Sequence, residues 1–277
     1  MTRTILVTGA SGHLGRRVAA RSVAEGWTVV GTFHTAQPEL PGVGWRRLDL
    51  RDRAMVEGLL TELAPDVVVH AAAGRDRDDW AVIAEGAGAV AAAAAAVGAR
   101  LVHVSSDAVL SGANPPYDET ALPDPVTRYG AAKAAAETAV RTVAPGAVIA
   151  RVSLILGDGD SKHERLVHAL HAGEDGALFT DRYRMPSHAA DLAAALLELA
   201  GTGHAGVVNL AGSDRVSYHE LGCLIAERDG LDPARLPAAR AQDRGVVLSA
   251  DTRLDTTLAT ELLTTRVRGV RELFGQR

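Results

Sequence analysis

Tyr129 and Lys133 are the pair of residues in this chain whose types and spacing point most directly to chemistry. Residues four apart on a helix face the same way, so the phenol and the ammonium project together. A nearby cation favours the phenolate and is expected to lower the pKa of the phenol towards neutrality. Such a phenol can donate a proton to a carbonyl oxygen. Only Lys133 and Lys162 are lysines, and an arginine would stay charged and could not relay a proton.

A helix must carry this pair, and the alanine-rich segment around it has the composition of one. Asp124 is suited to the N-cap, and Pro125 falls at the first helical position. The sequence therefore predicts a helix that begins directly after Asp124 and presents Tyr129 and Lys133 on one face.

A glycine-rich turn near the start of the chain joins a predicted strand to a predicted helix. Residues 3–9 (RTILVTG) form a short apolar run, typical of a strand buried on both faces of a parallel sheet. The glycines that follow are spaced GxxGxxG, and such a turn lets a pyrophosphate approach the backbone and rest on the helix N-terminus. We predict that this turn binds a dinucleotide through Gly9, Ser11, Gly12, His13, Leu14 and Gly15.

The end of the second predicted strand bears on the choice of dinucleotide. An acidic residue there would bind the adenosine ribose hydroxyls of NAD(H). The chain instead has Thr32, Phe33 and His34. Without a carboxylate nothing repels a 2′-phosphate, and His34 or Arg16 could contact one. The sequence therefore favours NADP(H) over NAD(H), although no arginine stands at the strand end itself.

Three later strand ends point to the same edge of a sheet. Asp49 and Leu50 are expected beside the adenine, and Ala71, Ala72 and Ala73 where the backbone passes a ligand closely. Ser106 and Asp107 follow the fifth strand. Alternating strands and helices predict an α/β fold with a doubly wound parallel sheet, whose ligands bind at the carboxyl ends of the strands.

Composition narrows the classes of partner. The net charge is −5 and no basic stripe is present, so neither nucleic acid nor a membrane is an expected partner. The single Cys223 and the lack of a charged-then-apolar leader lead us to expect a cytoplasmic protein. The histidines are scattered, so no metal site is predicted. A homodimer is left open.

Several stretches together resemble the extended short-chain dehydrogenase/reductase (SDR) superfamily and, within it, the dTDP-4-dehydrorhamnose reductase (sugar-nucleotide-binding) family. They are the glycine-rich turn, Asp49-Leu50, the alanine triplet, VSSDAVLSG, PPYDETALPDPVTRYGAAKAAAE, ARVSLILGD, MPSHAADLAAAL and SADTRLDTTLATELL. The resemblance implies a catalytic triad of Ser106, Tyr129 and Lys133. Ser106 would bind the substrate carbonyl, Tyr129 would be the general acid, and Lys133 would hold the cofactor ribose and depress the pKa of the phenol.

The resemblance also implies a Rossmann domain with a smaller, discontinuous C-terminal substrate domain. We place the dinucleotide-binding domain at residues 1–152 and 186–212, and a substrate-binding annex at residues 153–185 and 213–277. The expected substrate is a small molecule of the nucleotide-sugar class, contacted by Ser106, Asp107 and Tyr129. Lys162, His163 and Arg165 offer further cations for an anion, and Arg184 is predicted to contact a diphosphate because it precedes the turn at Pro186.

Departures from the family pattern keep other functions open. Ala108 stands where a tyrosine is usual, Ile83 where an asparagine is often seen, and residues 151–157 lack the usual aromatics. In the family these positions border the substrate, so the identity of the substrate is open, although the resemblance implies that the reaction is the reduction of a ketone with NADPH. The alternatives are a sugar-nucleotide epimerase with bound NAD and a non-catalytic subunit that binds dinucleotide, like a regulatory subunit of methionine adenosyltransferase. Ala108 also argues against a dehydratase, which would carry a second acid there.

Overall fold

The computed structural model describes residues 3–74 and 76–275. Its main sheet contains seven parallel strands in the spatial order β7-β6-β5-β4-β1-β2-β3. These strands are Thr4–Thr8 (β1), Thr28–Phe33 (β2), Val43–Arg47 (β3), Val67–His70 (β4), Arg100–Ser106 (β5), Val148–Val152 (β6) and Gly206–Leu210 (β7). The order reverses beside β1, so the carboxyl ends of β1 and β4 flank a crevice of the kind in which doubly wound sheets bind ligands. The predicted fold class is confirmed.

Helices cover both faces of this sheet and form part of a smaller unit beside it. They are His13–Ala24 (α1), Arg53–Leu63 (α2), Gly86–Ala96 (α3), Arg128–Val143 (α4), Lys162–His171 (α5), Ala189–Gly201 (α6), Tyr218–Arg228 (α7), Thr257–Leu262 (α8) and Val270–Leu273 (α9). A π-helical turn at Ala81–Glu85 leads into α3. No helix within the described residues is long and apolar enough to cross a membrane.

Alternation along the strands builds a core on each face. Ile5 and Val7 point to the core shared with α1 and α6, whereas Leu6 points to the core beneath α2, α3 and α4. Because both faces are apolar, the strands read as continuous hydrophobic runs. Helix α3 consists almost entirely of alanine and glycine, so it lies close to α4 and to the sheet.

The rest of the chain forms a smaller unit at the carboxyl edge of the sheet. Its core lies between α5 and α7 and includes Leu170, Leu221 and Ile225. Three short strand pairs support it: Ile155–Leu156 with Ser187–His188, Tyr183–Arg184 with Val216–Ser217, and Leu178–Phe179 with Ala238–Ala239. The last part of the predicted annex returns to the main sheet, because Ala259 and Leu263 pack in the core beside α1 and α6. The exact division into domains stays a prediction.

The start of α4 differs from the prediction. Thr127, not Asp124, is the N-cap, and its hydroxyl accepts a hydrogen bond from the Gly130 amide at 3.0 Å. Asp124 instead accepts the amide and hydroxyl of Ser111 at 2.7 and 2.6 Å. Both residues are good caps by type, and the tertiary contact of Asp124 with Ser111 decides between them.

Two glycines, one at the start of α1 and one in α2, test how tightly α1 packs against the glycine-rich turn. A Cβ on Gly15 would lie 2.7 Å from the carbonyl carbon of Gly9, whereas one on Gly58, in the exposed part of α2, would touch nothing within 4 Å. We expect Gly15→Ala to lower the free energy of unfolding by about 1–3 kcal/mol and Gly58→Ala to raise it by about 0.5–1 kcal/mol. Urea denaturation of both variants measures this, and equal effects would contradict the packing described.

Candidate active site

A cleft of about 450 Å³ opens at the carboxyl ends of β4, β5 and β6, and the smaller unit forms its other wall. Ser106, Tyr129 and Lys133, predicted from the sequence to act together, all line it. Among the other lining residues are His13, Leu14, Ala71, Ala73, Arg77, Asp107, Ser153, Lys162, His163, Arg165, Arg184 and Tyr218. The cleft therefore brings the candidate acid to the edge of the glycine-rich turn.

Tyr129 lies in the first turn of α4 beneath an arginine that the sequence analysis did not single out. The guanidinium of Arg77 is 4.6 Å from the centroid of the phenol ring. Burial in the cleft raises the pKa of Tyr129 above its ordinary value, against the lowering effects of Arg77 and of a hydrogen bond with Ser106. The expected lowering by Lys133 is therefore wrong for this structure, because desolvation outweighs the neighbouring charges.

Lys133 is buried, one turn further along α4. Its ammonium Nζ donates a hydrogen bond to the carbonyl oxygen of Val104 in β5 at 2.6 Å. Desolvation lowers the pKa of Lys133 to about 8, with Arg77 acting in the same direction and Glu137 opposing it. At neutral pH the amine is still mostly charged, yet close enough to its pKa to release a proton.

Ser106 ends β5 and is held by its own neighbours. Its Oγ donates to Oδ1 of Asp107 at 3.2 Å and accepts the amide of Ala108 at 3.2 Å. The hydroxyl therefore points to the floor of the cleft, where Asp107 also lies.

Asp107, predicted to contact substrate, has its carboxylate occupied by groups of the protein. Oδ2 accepts the hydroxyls of Ser153 and Thr252, each at 2.8 Å, and lies 3.5 Å from Nε of Arg184. Asp107 is buried, with 4% of its surface exposed. Through these donors the Asp107 carboxylate joins the sheet to the smaller unit. Its direct contact with substrate stays a prediction, and the hydrogen bonds already made to Ser153 and Thr252 make such a contact less favourable.

Arg184 is similarly occupied. It lines the cleft, but Nη1 donates to the carbonyl oxygens of Tyr183 and Ser249 at 2.7 and 3.1 Å, and the guanidinium lies 5.5 Å from the ring of Tyr218. Arg184 is therefore a buried part of the wall. Its predicted contact with a diphosphate stays a prediction.

The glycine-rich turn has the shape that close approach of a ligand requires. Gly9 has φ +73° and its missing Cβ would lie 2.7 Å from Cα of Ala72, so the turn is pressed against the alanine triplet. Gly12 and Ser11 are exposed, and a Cβ on Gly12 would meet only the Gly9 oxygen, at 3.2 Å. Gly9 and Gly15 are thus demanded by packing, whereas Gly12 leaves open the space above the N-terminus of α1.

The smaller unit touches this turn directly. His13 Nε2 lies 3.4 Å from the carbonyl oxygen of Leu156, and Arg17 Nη2 donates to both oxygens of Asp160 at 2.8 and 3.0 Å. Burial, and then the charge of Arg17, lower the pKa of His13. The wall of the cleft is therefore tied by a salt bridge to the helix that follows the turn.

The predicted adenine end of the site lies beyond β2 and β3. His34 Nε2 is 3.4 Å from Oδ2 of Asp49, Arg47 Nε donates to the His34 carbonyl oxygen at 3.2 Å, and the Arg51 amide donates to Oδ1 of Asp49 at 3.0 Å. Leu50 is buried in the core beside α3, so it supports the site from below. Arg47 at the end of β3 and Arg51 after it add cations near the end of β2, which itself carries no arginine, as the sequence indicated.

Three lining residues correct or extend the sequence analysis. His163 is not a cation at neutral pH, because burial lowers its pKa to about 4. Tyr218 lies 5.9 Å from the His163 ring, and burial raises the pKa of its phenol. Neither Tyr218 nor Arg77 belongs to a local motif, so spacing along the chain gave no signal for them. Within the described residues no cluster of three metal-binding side chains occurs.

Curated relatives include both a reductase and a regulatory subunit. The chain is 32% identical over 252 residues to the probable low-salt glycan biosynthesis reductase Agl14 of Haloferax volcanii, covering 86% of this chain and 84% of the relative. It is 31% identical over 257 residues to methionine adenosyltransferase 2 subunit beta of Rattus norvegicus, covering 85% of this chain and 75% of that protein.

Solved structures with the same fold include proteins that are named for a sugar nucleotide or that were solved with one bound. A hypothetical dTDP-4-dehydrorhamnose reductase from Sulfolobus tokodaii superposes with a TM-score of 0.82 at 29% identity, covering 96% of this chain and 97% of the other. MoeE5 in complex with UDP-glucuronic acid and NAD superposes with a TM-score of 0.82 at 26% identity, covering 99% and 97%. The family described as RmlD substrate binding domain matches residues 2–272. This chain therefore belongs to that family, as the sequence motifs indicated.

Proposed function

We propose that this protein is an NADPH-dependent ketoreductase that acts on a keto sugar nucleotide, of the dTDP-4-keto-6-deoxysugar type, or on a related ketone. The observation that carries the proposal is the convergence of Ser106, Tyr129 and Lys133 in one cleft beside the glycine-rich turn. The named reductase among the relatives and the sugar nucleotide bound to MoeE5 support it.

The turn fits a nicotinamide dinucleotide. Gly12 leaves room above the N-terminus of α1, and Ala71 and Ala73 line the adjoining cleft with methyl groups alone. The N-terminus of a helix favours a pyrophosphate there. The dinucleotide supplies the hydride when it is bound.

The protein's own part is to supply a proton and to hold the ketone. The phenol of Tyr129, kept protonated by burial, donates its proton to the carbonyl oxygen as negative charge develops there. Ser106 donates a hydrogen bond to the same oxygen once it turns from Asp107. Lys133 binds the ribose and returns a proton towards the phenol, for which a pKa of about 8 is suitable.

Cations in the cleft suit a substrate that carries a diphosphate. Arg77, Lys162 and Arg165 line it together with the carboxylates of Asp107 and Asp160. Asp107 and Asp160 are bound to Arg184 and Arg17, respectively. This leaves Arg77, Lys162 and Arg165 to meet an anion.

A preference for NADP(H) is part of the proposal. His34, Arg47 and Arg51 lie at the strand ends where a 2′-phosphate would bind, with Asp49 beside them, and Arg51 is also paired with Asp79. The guanidinium of Arg47, whose Nε donates to a backbone carbonyl oxygen, favours the additional phosphate.

A second candidate is a non-catalytic subunit that binds dinucleotide, which the similarity to methionine adenosyltransferase 2 subunit beta favours. A third, an epimerase with resident NAD, uses the same triad and is separated from a reductase by whether the dinucleotide is consumed.

Tyr129→Phe separates the enzyme from the binding subunit. Loss of the hydroxyl should lower kcat by about two to four powers of ten and leave the affinity for NADPH nearly unchanged. Tyr183→Phe is the matched control, since Tyr183 also stacks on an arginine, Arg215 at 3.6 Å, outside the cleft.

The assay for Tyr129→Phe is NADPH oxidation with a panel of keto sugar nucleotides, followed by product identification. Because burial raises the pKa of Tyr129, ionisation of the phenol itself should lower kcat, measured at saturating NADPH, only above its ordinary value of about 10, and any decline near pH 8 belongs to Lys133. A Tyr129→Phe enzyme as fast as the wild type would disprove the acid role. Tight dinucleotide binding with no ketone reduced would favour the subunit.

Gly12→Val tests the dinucleotide site. A branched side chain should fill the open space above α1 and weaken NADPH binding at least about tenfold, with little change in the melting temperature. Gly58→Val on the exposed part of α2 is the control. Fluorescence titration measures the affinity, and unchanged binding would place the dinucleotide elsewhere.

His34→Asp tests the choice of cofactor. A carboxylate beside Asp49 should repel a 2′-phosphate and shift the ratio of NADPH to NADH affinity towards NADH by about tenfold. His219→Asp, on α7 away from the cleft, controls for the added charge. A wild-type protein that already binds NADH several-fold more tightly would contradict the proposed preference.

A further inference from the structure

The fully buried carboxylate of Glu137 lies on the same face of α4 as Tyr129 and Lys133, one turn beyond Lys133. Oε1 of Glu137 accepts Nε of Arg151 at 3.0 Å, and Oε2 accepts Nη2 at 2.9 Å. The side chains of Glu137 and Arg151 are 0% and 1% exposed. Arg141, on the solvent side of α4, reaches within 3.8 Å of Oε2. The pair is therefore bidentate and dry.

This carboxylate also holds the strand that carries Ser106. The hydroxyl of Ser105 donates to Oε1 of Glu137 at 2.6 Å, and the carbonyl oxygen of Val104 receives the Lys133 ammonium. Two consecutive residues of β5 are thus bound to two consecutive turns of α4. The distance between Ser106 and the helix is fixed by these bonds.

Arg151 extends the connection to the loop before α4. Its Nη1 donates to the carbonyl oxygen of Ala121 at 3.0 Å. A buried ion pair adds little to the free energy of unfolding compared with apolar side chains of the same size. The Glu137–Arg151 ion pair therefore matters more for the positions of α4 and β5 and for the charge near Lys133.

Charge around Lys133 is unbalanced without Glu137. The titratable and charged groups that face Lys133 are Tyr129 and Glu137 on α4, His70 on β4, His103 on β5 and Arg77 from the loop after β4. Burial lowers the pKa of His70 to about 3 and that of His103 well below its ordinary value, so both are neutral. Arg77 repels the ammonium, and Glu137 is the one carboxylate among these groups. The Glu137 carboxylate is itself paired with Arg151 at 2.9 Å and approached by Arg141 at 3.8 Å, so only part of its charge acts on Lys133.

We propose that Glu137 is a positioning residue, whose carboxylate provides the negative charge that Lys133 needs in order to bind the dinucleotide and, clamped by Arg151, holds the end of β5 that carries Ser106. The inference rests on the proposed role of Lys133 in dinucleotide binding. It assigns a role to Glu137, which lies outside the Tyr129–Lys133 motif.

The test is the pH dependence of NADPH binding to the full-length protein between pH 7.5 and 9.5, a range in which a 2′-phosphate, with a second pKa near 6, no longer titrates. In the wild type, affinity should fall as the pH passes about 8, because the free protein then loses the Lys133 charge. Glu137→Gln should lower the midpoint of this fall by about one pH unit, which makes binding about tenfold weaker at pH 9.

Four controls assign the effect. Lys133→Met should bind weakly at every pH and show no midpoint. Glu198→Gln removes a carboxylate bound to the Thr264 and Thr265 amides, away from the cleft, and should keep the wild-type midpoint even if it lowers the melting temperature. Glu137→Asp, which keeps the charge, should restore most of the wild-type midpoint.

The fourth control addresses the unpaired Arg151 that Glu137→Gln leaves buried. Glu137→Gln combined with Arg151→Gln removes both charges, so it keeps the test available if the single variant does not fold. Its midpoint should lie between those of Glu137→Gln and the wild type, because the carboxylate nearer to Lys133 in sequence is missing while the repelling charge of Arg151 is gone as well.

The outcomes are distinct. A wild-type midpoint in both Glu137→Gln and the double variant overturns the inference and leaves the proposed function intact. A midpoint that survives in Lys133→Met overturns it too, since another group then titrates. A wild-type protein that binds no dinucleotide at any pH overturns both the inference and the proposed function.

Discussion

A buried ammonium stays charged only where oxygens surround it, and the interior beneath the cleft is arranged around that constraint. Lys133 donates to the backbone carbonyl of Val104 in β5, and the Glu137 carboxylate lies one turn away on α4. These contacts set the height of α4 over the sheet. Because Tyr129 is on the same helix and Ser106 on the same strand, the position of the proposed acid relative to the hydroxyl follows from how one amine is solvated.

A second buried carboxylate performs the corresponding task at the rim. Asp107 binds Ser153 from the segment after β6 and Thr252 from the C-terminal part of the chain, while its neighbour Ser106 faces the cleft. The cleft wall therefore cannot shift without breaking hydrogen bonds that reach the carboxyl end of β5. The position of the smaller unit and the geometry of Ser106 are connected through this one side chain.

Local patterns predicted the parts of the site that local chemistry determines. The GxxGxxG turn and the four-residue spacing of Tyr129 and Lys133 are properties of short segments, and the structure has both as expected. The sign of the Tyr129 pKa shift could not be read in this way, because sequence shows which charges are near but not how much water is excluded. Thr252 lies 145 positions from Asp107, and Arg77 comes from a charged run that looks like solvated loop, so neither could be paired in advance. The predicted N-cap of α4 was wrong for the same reason, because Asp124 accepts hydrogen bonds from Ser111 instead.

The two stacked imidazoles of His70 and His103 lie in neighbouring strands with their ring centroids 5.2 Å apart. They reduce the free energy of unfolding at low pH. Both are buried and neutral, and Nε2 of His70 and both ring nitrogens of His103 have no partner. In the unfolded chain these rings accept protons near pH 6.5, whereas in the folded chain the pKa of His70 is about 3 and that of His103 is also strongly lowered. The unfolded state thus binds more protons as the pH falls below about 6.5, and the free energy of unfolding declines from there down to the folded-state values. The centre of the sheet therefore adds its own loss of stability in acid to that of carboxylates whose pKa is lowered in the folded chain, such as Glu164 and Glu198.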